Sequence, residues 1–179
     1  MINNEIKTLH NHLAYSAVSE QKLISLKKFI ILNIFSFGFY LIAWIFQAWR
    51  FFLQKDHLDI RIALRTGFGV IYLYPLFLKI KNYASKENKV FDLKSLIMYL
   101  GVIITCILPE PLSYISIFSF IFFIPAFRQL NHAKRNDPDI VCIEQNKFSR
   151  GHKIVIFIGT IFWVLILFSV LWTIMQASS

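Results

Sequence analysis

The chain has 179 residues, of which 56% are hydrophobic and 16% charged, with a mean hydropathy of +0.57. Ordinary soluble domains lie near 45–50% and about 25%, and 19 phenylalanines are more aromatic surface than a soluble fold of this length hides. The 19 Lys and Arg against 10 Asp and Glu give a formal charge of +9. They flank apolar runs instead of forming one stripe, which points to anionic lipid head groups on the cytoplasmic side of a bilayer and away from nucleic acid.

Residues 1–28 read as a polar cytoplasmic lead with a helix starting near Ser19, placing Lys22, Lys27 and Lys28 at the head groups. That lead does not fit a cleavable signal peptide. Ile2 after the initiator Met excludes myristoylation, and Ser178-Ser179 is no prenylation box. Residues 29–174 form the membrane domain, with apolar runs at 29–46, 66–78, 95–108, 112–127 and 154–174, none containing Asp, Glu, Lys, Arg or His. Residues 175–179 are a short outward tail.

About 20 helical residues cross a bilayer core ~30 Å thick. The last run meets that length and the first nearly does. The third and fourth are short, but they join across Pro109-Glu110-Pro111 as a helical hairpin. The second falls about seven residues short, and Pro75 bends it. The expected fold is therefore all-α: a polytopic transmembrane helical bundle with a short Pro-Glu-Pro-tipped hairpin.

Basic residues number four before the first run, four before the second, five before the third and six before the fifth, with none at the hairpin tip or in the tail. The positive-inside rule puts the N-terminus inside and the C-terminus outside. The segment 47–65, with Arg50, Lys55, Arg61 and Arg65, leaves two topologies open. Five spans translocate it against the rule. Three spans keep every basic residue inside, if the first run dips in and returns or lies at the interface with the second. Ser36-Phe37-Gly38 supplies the break a dip requires, with its backbone buried in protein.

Ser36, Tyr40, Ala43, Gln47, Arg50 and Gln54 recur at spacings of four and three, a small or polar stripe suited to packing, to a partner or to a wet path. Gly101, Thr105, Ser113, Ser116 and Ser119 are small residues expected to let the hairpin helices approach closely. Trp44, Trp49 and Trp172 lie near run ends, as belt residues do, and Trp163 lies mid-run.

The sequence carries no catalytic constellation. A serine nucleophile needs a base within reach, and the runs hold none. His10, His12, His57, His132 and His152 form no helical metal pair. Asp56, Asp59, Asp137 and Asp139 read as charge-balanced surface groups. Cys106 and Cys142 match neither a disulfide framework nor a zinc spacing. No phosphate loop, dinucleotide fingerprint or zinc-protease motif occurs, so neither cofactor nor metal is expected. The lack of ionisable residues inside the runs lowers the case for ion-coupled transport.

Phe35-Ser36-Phe37-Gly38-Phe39-Tyr40 with Trp44 and Trp49 resembles the F-x-x-G-x-Y-x-x-x-W signature of small uncharacterised bacterial multi-pass inner-membrane proteins. Residues 125–131, and Phe148-Ser149-Arg150-Gly151 leading to Gly159 and Trp163, are similar to later parts of the same group. The chain departs from it at Gly151-His152, where a bulky residue and an Asn are expected. The resemblance implies a bacterial cytoplasmic membrane and no particular activity. The expected role is a non-enzymatic scaffold or accessory component that assembles with another membrane protein or with a second copy. A small transporter or channel subunit with the Ser36–Gln54 stripe lining a path is the alternative. A lipid-modifying enzyme would need His57, Asp59 and His132 to converge.

Overall fold

A computed structural model describes residues 20–56, 61–110 and 112–177. Seven α-helices, one long 3₁₀ helix and two three-residue strands are defined among them. Strand β1 (Gln21–Leu23) leads into α1 (Leu26–Phe35), α2 (Tyr40–Lys55), α3 (Ile62–Gly67) and α4 (Gly69–Ser85). Helix α5 (Leu93–Ile107), the 3₁₀ helix (Leu112–Phe123), α6 (Ile124–Arg135), β2 (Cys142–Glu144) and α7 (Arg150–Ala177) follow.

Local chemistry sets most boundaries. Ser25 caps α1 by accepting from the Lys28 amide, and Asp92 caps α5 by accepting from the amide and hydroxyl of Ser95. Helix α4 ends where Lys86 takes a left-handed conformation. The run 29–46 is not one helix. Phe37 and Gly38 sit at φ +52° and +85°, which ends α1, and the Gly38 amide donates to the Asn33 carbonyl at 2.8 Å. The Ser36 hydroxyl then accepts from the Tyr40 amide at 2.9 Å and starts α2.

After that reversal α2 returns to the end from which α1 left. Lys28, at the start of α1, donates to the Gln145 carbonyl, and Lys55, at the end of α2, pairs with Asp137 at 2.6 Å. Both acceptors belong to the connection between α6 and α7. Helix α4 finishes there too, with the Tyr83 hydroxyl donating to Asp137 at 2.7 Å. We call this the polar end.

The core is aromatic. Phe29 stacks on Phe127 at 4.3 Å and meets Trp44 edge-on at 6.0 Å, while Phe123 takes Trp44 and Phe77 edge-on at 5.9 and 5.2 Å. Offset and edge-on pairs of this kind contribute beyond their buried area, by about 0.5–1.5 kcal/mol each. Trp44 and Trp49 are therefore core residues and not interfacial belt residues: the run turns back, and its return limb faces inward. Trp172 is exposed.

In the hairpin, Phe122 fills the space over Gly101, and the buried Thr105 hydroxyl donates to the Gly101 and Val102 carbonyls. The 3₁₀ form gives its strand of the hairpin three residues per turn, which brings residues spaced by three onto one face. It also rises about 2.0 Å per residue against 1.5 Å in an α-helix, so the run 112–127 is about 30 Å long instead of ~24 Å.

The expectation for the lead needs correction. The lead is not helical from Ser19; it is extended at Gln21–Leu23, which pair in parallel with Cys142–Glu144. The fold is thus helical with a small two-stranded clip. The connection between α6 and α7 is a turn and loop that carries strand β2.

Helix α7, 28 residues or roughly 42 Å long, is the one helix among the described residues long and apolar enough to cross a membrane. Its span Arg150–Gln176 has a mean hydropathy of 2.9. The N-terminal half packs on the α1–α2 reversal. Trp163 Nε1 donates to the Ile34 carbonyl at 3.2 Å, and Phe37 stacks on the Trp163 ring at 4.9 Å. Gly159 lies against the Phe35 backbone so closely that a Cβ would collide with the Phe35 carbonyl oxygen. Backbone cannot move aside as a side-chain tip can. Gly159→Ala is therefore expected to destabilise the fold by about 1–3 kcal/mol, measured as a lowered thermal midpoint, whereas alanine at the exposed Gly67 should leave the midpoint nearly unchanged.

Candidate functional site

Asp137 organises the polar end. Its Oδ2 accepts from Lys55 at 2.6 Å and from the Tyr83 hydroxyl at 2.7 Å, and its Oδ1 accepts from the Asp139 amide at 3.2 Å. Lys79 of α4 pairs with Asp56 after α2 at 2.6 Å, and Arg135 pairs with Glu144 of β2 at 2.8 Å. An open cavity of about 850 Å³ lies among Lys55, Asp56, Lys79, Tyr83 and Asp137, walled also by Asn82, His132 and Asn136.

The electrostatics follow from this wiring. Burial pushes the Asp137 carboxyl up, but the bonds from Lys55 and Tyr83 outweigh it and hold the group below the usual carboxylate range. Burial and the facing Asp137 raise the Tyr83 phenol, so it stays a proton donor. Lys134 lies beyond the apolar run 112–127 and is 7% exposed. Its Nζ donates to Gln21 Oε1 at 3.0 Å and sits 4.1 Å from the Phe51 ring centroid. Burial lowers its pKa to about 8. The ammonium ties β1 to α6, and the Phe51 ring replaces part of its lost hydration.

This end is held by fixed ion pairs and hydrogen bonds. No group of three or more His, Cys, Asp or Glu that could hold a metal ion occurs among the described residues. Of the three groups a lipid-modifying site would need, His132 lines the cavity, while His57 and Asp59 fall outside the described residues, as do His10 and His12. His152 lies on α7 between the rings of Tyr40 and Phe148.

The stripe along α2 does not occupy one environment. Ser36 caps the helix, Tyr40 is buried against Phe29, and Gln54 is half-buried. Ala43, Gln47 and Arg50 face outward and line, with Phe39, Ile42, Phe46 and Thr66, an open groove of about 600 Å³. The buried face of α2 is a different one, made of Tyr40, Leu41, Trp44, Ile45, Ala48, Trp49, Phe51 and Phe52. Of the hairpin residues, Gly101, Thr105 and Ser119 lie in the packed interface and Ser116 is half-buried, while the side chain of Ser113 falls outside the description. Sequence reasoning missed Lys134 and the Asp137–Tyr83 contact. Both join residues more than fifty positions apart, for which the sequence offers no local signal.

Comparison with protein-family models, with curated proteins and with solved structures finds no match. What is established is a helical chain with one helix able to cross a membrane and no catalytic or cofactor-binding signature among its described residues.

The Asp137 network makes a pH-dependent prediction. A carboxyl whose folded pKa is depressed contributes stability above its unfolded value of about 3.9 and loses it as the pH falls through the folded value. Asp137→Asn should therefore cost about 2 kcal/mol near neutrality, the scale of a lost charged hydrogen bond. Chemical denaturation of both proteins in one detergent should show that difference shrinking as the pH falls below the unfolded value and through the depressed folded one.

Proposed function

We propose that the chain is a multi-pass integral membrane protein, a non-enzymatic scaffold or accessory component that holds another membrane protein along α7. Three crossings make up the core of the reading: α5, the run 112–127 formed by the 3₁₀ helix and the first turn of α6, and α7. The segments α1–α2 and α3–α4 enter from the polar end and return to it. The return of Lys55 and Tyr83 to the same Asp137 supports this arrangement over five crossings. All basic residues then remain on one side, in keeping with the positive-inside rule.

Exposed backbone at the α1–α2 reversal would be costly in lipid. The Trp163 indole bonded to the Ile34 carbonyl, and Phe37 stacked beside it, cover it with protein. The resemblance at Phe35–Trp44 favours a bacterial cytoplasmic membrane, with the polar end inside and Glu110 outside.

The observation that carries the scaffold reading is the second half of α7. From Val164 to Met175 its large apolar side chains are exposed on every face, while the first half is gripped by α1 and α2. Such a helix has a complete apolar circumference to offer a neighbour. A small transporter or channel subunit is the second reading, favoured by the polar groups Gln47 and Arg50 in the groove on the outer face of α2.

Two measurements test these readings. Single cysteines at Asp56, Lys89 and Glu110 in a Cys106→Ser, Cys142→Ser background, probed in intact cells with a membrane-impermeant maleimide, should label only at position 110; labelling at 56 would mean that α2 crosses. Mild-detergent purification at native expression, followed by mass spectrometry, should recover a stoichiometric membrane-protein partner that is lost when Leu165, Phe168 and Trp172 become alanine. A monodisperse protein carrying solute and no partner would move the reading to transport.

A further inference from the structure

We infer that the groove on the outer face of α2 is a binding site for a single anionic phospholipid, with the phosphate held by Arg50, Gln47 and Thr66 and one acyl chain laid along Phe46, Ala43, Ile42 and Phe39. The inference rests on the membrane reading above and adds a specific ligand to it.

Three observations converge on the groove. Arg50 and Gln47 line it, and Arg50 has no ion-pair partner among the described residues, unlike Lys55 and Lys79 nearby. The neighbouring Arg65 is occupied elsewhere: its guanidinium lies over the rings of Trp49 and Tyr72, at 4.7 and 5.3 Å. Arg50 is thus the cation available to a ligand here. The second observation is Thr66, which lines the groove and whose Oγ1 is buried with no hydrogen-bond partner among the described residues. A buried hydroxyl without a partner is costly, and a turn of its χ1 towards a phosphate oxygen held at Arg50 would give it an acceptor.

The third observation is the apolar trail. Phe39, Ile42 and Phe46 are exposed, Phe39 to 72%, and they lie on the same wall as the polar groups. From Arg50 to Phe39 is eleven residues of helix, about 16 Å, which matches half of a ~30 Å hydrocarbon core. Arg50 lies about 7 Å below Lys55 along α2, at a depth that suits a phosphate beneath the polar end. The groove therefore has a charged head and an apolar tail one leaflet deep. A free phosphate would satisfy the head alone, and an uncharged lipid only the tail.

The test is native mass spectrometry of the full chain, delipidated in mild detergent and titrated with dioleoyl-phosphatidylglycerol or dioleoyl-phosphatidylcholine. The wild type should retain one phosphatidylglycerol saturably and phosphatidylcholine more weakly. Arg50→Gln should weaken retention about tenfold, the effect of losing one charged contact of ~1.4 kcal/mol. Thr66→Val keeps the volume and should weaken it a few-fold, and Ala43→Trp should block the tail path while leaving every polar group in place. Unchanged helical circular dichroism and monodispersity separate these effects from misfolding. Wild-type retention in both Arg50→Gln and Thr66→Val, equal retention of the two lipids, or full competition by glycerol phosphate would overturn the site. Extraction of the wild type from membranes by alkaline carbonate would remove the membrane reading and the site together. A carbonate-resistant protein whose Arg50→Gln and Thr66→Val variants both bind normally would remove the site alone.

Discussion

Asp137 is the joint on which the arrangement of this chain depends. One carboxylate accepts from the last turn of α2 through Lys55 and from the end of α4 through Tyr83. Both helices must therefore come back to the connection after α6. A partly buried carboxylate could not remain ionised there without donors, because charge out of water costs several kcal/mol unless it is paired and bonded. The donors it needs are the ends of the returning helices, so its solvation and the path of the chain are one constraint. The salt bridge between Lys79 and Asp56 and the parallel pairing of β1 with β2 close the same end at its margins.

At the other end of α1 the constraint is steric. Phe37 at positive φ is unusual for a bulky residue, and a conformation of that kind persists only where the surroundings hold it. Here α7 supplies the hold, through the Trp163 ring against Phe37, its indole N–H on the Ile34 carbonyl, and the bare backbone at Gly159 against Phe35. Helix α7 thus has two halves with different work. The first fixes the reversal, and the second presents apolar surface outward.

Much of this was legible from local chemistry. Ser36-Phe37-Gly38 reads as a break because glycine accepts positive φ, and serine is a good start for the helix that follows. The hairpin reads from Pro109 and from Gly101, whose missing Cβ leaves room for Phe122. The buried face of α2 also follows helical periodicity from Tyr40 to Phe52, although the polar stripe beside it was the more conspicuous pattern. What was not legible is non-local. Gln21-Lys22-Leu23 has no alternation marking a strand, and its partner lies about 120 residues away. The tryptophans misled for a related reason. A position near the end of an apolar run means an interface only if the run crosses once, and a run that turns back brings Trp44 into the centre of the fold. Lys134 reads as a surface charge until β1 and the Phe51 ring close over it.

The two arginines near α2 show how the same residue type is put to different use by one helical step. Arg65 spreads its guanidinium over Trp49 and Tyr72, where a planar, weakly hydrated cation is well matched to aromatic faces. That contact docks α3 on α2 and turns the next residue, Thr66, onto the groove wall. Arg50 stands on the outer face and stacks on no ring among the described residues, so its donors point to the groove in the proposed reading. If the stacking of Arg65 were lost, α3 would have no reason to hold Thr66 beside Arg50. The groove is therefore a consequence of how α3 is anchored, and its polar head is built by residues from two helices, not by the stripe along α2 alone.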